Sequence, residues 1–62
     1  MKLVSEYFSE VSPVRCAKVF VLDKNGYSSY EVNFWDADLD IDDWKSFGYL
    51  NHAEDAAEDF VC

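Results

Sequence analysis

Asp36, Asp38, Asp40 and Asp42 alternate through one short segment, with Asp43 beside the last. Alternating carboxylates are the raw material of a divalent-cation site. A helix–loop–helix calcium loop also needs glycine at its sixth place and a bidentate glutamate at its twelfth. Counted from Asp36, those places hold Ile41 and Phe47; counted from Asp38, they hold Asp43 and Tyr49. On an extended chain, alternate side chains stand about 6–7 Å apart on one side. That spacing attracts a cation loosely without enclosing it. Asp36, Asp38, Asp40 and Asp42 are therefore the metal candidates, and no ordered site and no cofactor are expected. The segment reads first as an acidic edge or loop.

His52 is the single histidine. A general base needs a nucleophile or a pocket within reach, and the sequence offers neither, so no catalytic residue is assigned. Cys16, His52 and Cys62 lack the CxxC pair and the fourth ligand of a zinc site. Tyr27, Tyr30, Phe34 and Trp35 could form a stacking platform for single-stranded nucleic acid, but such platforms come with basic residues. This stretch carries Glu31 and no lysine or arginine. The aromatics are expected to serve the core and an interface.

The 62 residues are 50% hydrophobic and 18% aromatic, with 13 acids against 5 bases and a net charge of −8. That is too apolar for a disordered acidic tail and has no apolar run near the ~18 residues of a membrane span. A single small domain, 1–62, is expected. Residues 1–35 sum to zero charge; the whole −8 lies in residues 36–62, where Lys45 is the lone base. Such a field repels nucleic acid and anionic membranes and attracts a basic protein surface. Trp35, Asp40, Asp42, Asp43, Glu54, Asp55, Glu58 and Asp59 are the candidate partner-binding residues. Lys2 is followed by a mixed polar stretch without the apolar core of a signal peptide. A cytoplasmic protein with Cys16 and Cys62 as free thiols is expected.

Elements must position these groups. Apolar residues at 3, 4, 7, 8 and 11 follow helical spacing, so residues 3–11 read as a helix stopped by Ser12-Pro13, with a strand as the alternative. Residues 14–23 read as a central strand, because Val19-Phe20-Val21-Leu22 is apolar on both faces and asks for cover on both. Asn25-Gly26 is the signal of a type I′ hairpin turn. Residues 27–35 form the partner strand, with Tyr30, Val32 and Phe34 toward the core and Trp35 on the far side. After a polar break at Asp36-Ala37-Asp38, residues 39–45 read as a charged edge strand. Asn51 to Val61 reads as a helix, with Asn51 as N-cap and Glu54 completing a capping box. Its stripe is Ala53, Ala56, Ala57, Phe60 and Val61, with Phe60 as anchor. Glu58 and Asp59 sit at its C-terminal end, against the helix dipole. The expected fold is α+β: a three-stranded antiparallel meander with the C-terminal helix packed on one face and an N-terminal segment that is helix or strand.

Glu54-Asp-Ala-Ala-Glu58 followed by an aromatic, supported by Val19-Phe-Val and Glu31-Val-Asn-Phe, resembles small acidic proteins of marine cyanobacterial phages. The resemblance implies a phage origin and a host-cytoplasm location, and no active site. The function expected is that of a non-enzymatic interaction protein binding a host protein through its acidic C-terminal half. The alternatives are a divalent-cation-binding module on Asp36–Asp43 and a structural or virion accessory protein. A homodimer is expected, because one helix cannot cover both sheet faces.

Overall fold

A computed structural model describes residues 1–12 and 14–62; Pro13, expected to stop a helix, lies outside them. The chain forms four strands and a helix: β1 (Lys2–Phe8), β2 (Arg15–Lys24), β3 (Tyr27–Asp36), β4 (Ile41–Phe47) and α1 (Leu50–Val61). The strands make one antiparallel sheet in the order β1-β2-β3-β4. The fold is thus α+β with α1 on one face, but the meander has four strands where three are expected.

The extra strand is β1, the strand alternative to the helix read over residues 3–11. Its register shifts between Leu3 and Ser5, leaving Val4 as the extra residue of a β-bulge. Leu3 pairs with Phe20 and Phe8 with Cys16, on one face, whereas Ser5 and Tyr7 pair with Val19 and Ala17, on the other. A bulge interrupts the strand's period of two. The apolar residues consequently fall at 3, 4, 7 and 8, a spacing that imitates a helix.

Asn25 and Gly26 have φ of 52° and 82°, the positive values that a type I′ turn requires at both central positions. This turn fixes the β2–β3 register, with Val19 opposite Val32 and Ala17 opposite Phe34. Odd residues of β2 and even residues of β3 then face α1. Ala17, Val19 and Val32 are buried there with Ala53, Ala57 and Val61 of the helix. Tyr7, Tyr30, Phe34, Phe47, Leu50 and Phe60 pack around them. Two helix alanines with no exposed surface let the helix backbone lie close to the sheet. The Phe60 ring is half-buried and stands edge-on to Phe34, with centroids 5.2 Å apart.

Two further expectations are corrected. The edge strand expected over 39–45 begins at Ile41, after a loop over residues 37–40 in which Asp40 has φ 55°. The helix begins one residue early, with Tyr49 as N-cap and no side chain capping it. Asn51 therefore lies inside the first turn, where its side chain has no capping role, and Glu54 forms no capping box. Its carboxylate Oε2 instead accepts a hydrogen bond from Tyr7 Oη at 3.4 Å. Tyr49 caps by backbone alone, its carbonyl accepting from Ala53 N at 3.2 Å, while its ring meets His52 edge-on.

These contacts set an order of mutational cost that urea melts can check. Asn51→Ala should change stability by no more than ~0.5 kcal/mol, as for a surface residue without a special role. Phe60→Ala should cost about 2–3 kcal/mol, below the range for a fully buried ring. Ala57→Leu should cost ~1–3 kcal/mol by forcing the helix off the sheet. A loss of ~1 kcal/mol in Asn51→Ala would instead return the cap to Asn51.

Candidate interaction surfaces

Arg15 begins β2 and Asp36 ends β3, and the hairpin register sets them opposite one another. Arg15 Nε donates to Asp36 Oδ2 at 2.8 Å, with the Asp36 side chain only 2% exposed. Arg15 Nη1 donates to the Phe60 carbonyl at 3.2 Å, and the guanidinium lies 5.1 Å from the Phe60 ring centroid. The other carboxylate oxygen of Asp36, Oδ1, accepts from the backbone N–H groups of Asp38 and Leu39 at 2.9 and 3.1 Å, forming the turn into β4. The Arg15 hydrogen bond, helped by these N–H groups and opposed by burial, holds the Asp36 carboxyl below its ordinary value of 3.8. Asp36 is thus a structural anchor, a role that requires the hairpin register and is invisible in an Asp-x-Asp pattern.

The other metal candidates go separate ways. Asp38 and Asp40 are exposed in the loop. Asp42 points to the sheet face opposite the helix, where its Oδ1 accepts from Asn33 Nδ2 at 2.8 Å. Among the described residues no group of three or more His, Cys, Asp or Glu is placed to hold a metal ion. Cys16 lies on the face away from α1 and Cys62 at the exposed helix end, both free.

The candidate partner-binding residues divide between two surfaces. Trp35 and Asp42 lie on the face that no described element covers, which we call the open face. Asp43 lies on the helix side, and with Lys45 and Asp59 it lines a groove of about 410 Å³ between β4 and α1, floored by Phe34, Ile41, Ala56 and Phe60. Glu54 and Glu58 lie on the β1 flank of the helix. Burial pushes the Tyr7 phenol above its ordinary value of 10.0, and the neighbouring charges of Glu54 and Glu58 add to the shift. Asp55 is exposed on the helix and Asp40 in the loop.

Leu3, Phe8, Phe20, Leu22 and Trp44 join Trp35 on the open face. Phe20 and Trp44 touch, with ring centroids 5.5 Å apart. Trp44 is not among the partner-binding candidates that the sequence offers. Its alternation with Asp42 and Ser46 is the signal, but it becomes legible only when Asn33 is known to pair with Trp44. The run Val19–Leu22 does lie in a central strand, as expected. Val19 packs in the core with the helix residues and Val21 shares its side of the sheet, however, while Phe20 and Leu22 have no second layer over them among the described residues.

Charge divides the same way. On the open face, Glu6, Glu31 and Asp42 against Lys18 and Lys24 leave −1; the remaining −7 belongs to the helix side and the loops. No helix among the described residues is long and apolar enough to cross a membrane. The chain matches no protein-family model, no curated protein and no solved structure.

The sign of the Asp36 shift fixes a pH dependence. A lowered folded-state pKa contributes stability that is complete above the unfolded value, near 3.8, and disappears as pH falls through the lower folded value. Asp36→Asn keeps an oxygen for the Asp38 and Leu39 N–H groups and removes the charge. It should melt below the parent at pH 7, and the gap should narrow below pH ~4. Thermal melts of both proteins from pH 7 to 2.5 check this; a gap independent of pH would remove the ion pair from the account.

Proposed function

We propose that the protein is a non-enzymatic interaction module that presents the acidic side bearing α1 to a protein with a basic surface. The observation that carries the reading is the segregation of charge, with −7 of the −8 on the helix side and loops. A one-sided field of this kind steers a cationic partner and sets its orientation on arrival. The groove between β4 and α1 supplies a place for specific contact. The aliphatic stem of a lysine or arginine fits against Phe34 and Phe60, with its charged head toward Asp43 and Asp59.

Two features support a non-catalytic role. His52 packs against the Tyr49 ring at the exposed start of the helix. Cys16 lies on the other side of the sheet, so the imidazole and this thiol do not form a nucleophile–base pair. A cytoplasmic location, where both thiols stay reduced, belongs to the same reading.

Titration of a fluorescent lysine-rich peptide at low and high salt tests the proposal. Affinity should fall steeply with salt. Asp43→Asn/Asp59→Asn should weaken binding roughly tenfold, the effect of losing ~1.4 kcal/mol across two contacts. Glu6→Gln/Asp42→Asn removes the same charge from the open face and should have a clearly smaller effect. Equal losses from the two pairs would reduce the acidic side to a non-specific field.

A further inference from the structure

We infer that the open face of the sheet is the seat of a second copy of this chain, packed sheet on sheet about a twofold axis. The face exposes several large apolar side chains among its few charged ones, the pattern that marks interaction surfaces when it is contiguous. Phe8 is 63% exposed, Trp44 55%, Leu3 42% and Trp35 40%. They stand in cross-strand rows: Phe8, Cys16 and Trp35 in one, Leu3 and Phe20 in another, with Trp44 against the Phe20 ring.

Three observations choose a second copy as the occupant. The first is charge. With −1 on this face, two copies meet almost without repulsion, and their strongly acidic sides turn outward to opposite ends of the dimer. A basic partner would be drawn to that acidic side instead.

The second is self-complementarity. Lys18 stands opposite Glu6 and is flanked by Glu31 on the next strand, yet Arg15–Asp36 is the ion pair within 4.0 Å among the described residues. A twofold interface sets the same patch against itself, so each copy's Lys18 can pair with a carboxylate of the other.

The third is area. The Cα trace extends 38 by 19 by 14 Å, so a face along its longest axis is bounded by about 530 Å² (38 × 14) to 720 Å² (38 × 19), a little under the ~800 Å² that each partner contributes to a standard stable interface. The antiparallel sheet is free to pack on another at the ~10 Å spacing of a β-sandwich. The resulting dimer carries two outward acidic sides, but its existence does not depend on what those sides bind.

Light scattering and sedimentation at 1–100 µM in reductant, which excludes a Cys62 bridge, test the inference. The expected species has twice the 7.2 kDa chain mass. Trp44→Lys and, separately, Phe8→Lys should weaken the dimer at least about tenfold, as loss of an interface aromatic does, while far-ultraviolet circular dichroism stays that of the parent. Leu39→Lys, exposed but in the β3–β4 loop, should leave the dimer intact. If Trp44→Lys fails to fold, the edge-strand variant Phe8→Lys decides. A monomer throughout the range overturns the inference. So does a dimer that survives both face variants, since it must then form through another surface.

Discussion

Arg15 ties together four parts of the chain at one end of the sheet. Its guanidinium bonds the Asp36 carboxylate, bonds the carbonyl of Phe60 and lies over the Phe60 ring. Through Asp36 the same cluster also forms the loop into β4. One side chain thereby connects the start of β2, the end of β3, the β3–β4 turn and the last turn of α1. A buried carboxylate is costly unless charge and hydrogen bonds compensate it. With one cation and two N–H groups around it, Asp36 has that compensation. The same Arg15 gives the alanine-faced helix a fixed point, because its guanidinium also bonds the Phe60 carbonyl and lies over the Phe60 ring.

The cluster also accounts for the placement of Glu58 and Asp59 against the helix dipole. The helix has no base in its last turn. Its C-terminal carbonyl charge is met instead by Arg15, reaching across from the sheet to the Phe60 oxygen. A cation at that end is what the helix dipole favours, and tertiary structure supplies it. The acidic last turn is therefore tolerated structurally.

How much of this is legible in sequence depends on whether the signal is local. Asn25-Gly26 imposes its own backbone angles, so the hairpin, its register and the inward face Tyr30-Val32-Phe34 follow from neighbouring residues. The helix stripe at Ala53, Ala57 and Val61 repeats at close intervals and is equally readable. β1 is not, because its bulge shifts the strand alternation into a helical one. The cap is not, because Asn51 has the right chemistry two positions too late, and an extended Tyr49 serves with its backbone alone. Asp36 is least legible of all. Its partner is 21 residues away, and within its own segment it is indistinguishable from Asp38 and Asp40. The same non-locality hides the open face: Trp35 and Trp44 share it only once β3 and β4 are in register.

A single sheet with one helix has three places where another chain can attach: two edges and a face. The edges are guarded. β1 carries Lys2 and Glu6 and is bent by its bulge at Val4; β4 carries Asp42, Asp43 and Lys45. Charge and bulges on edge strands oppose the addition of further strands. The open face also carries charges, but they cancel to −1 and stand among large exposed apolar side chains. This asymmetry matters more than the number of exposed aromatics. Weak edges would lead to open-ended stacking of chains, whereas guarded edges and one bare face allow a contact that closes on itself after two copies. The acidic helix side works in the same direction. In the proposed dimer it would oppose a third copy at the outer surfaces and leave them turned to the solvent, open to a cationic partner.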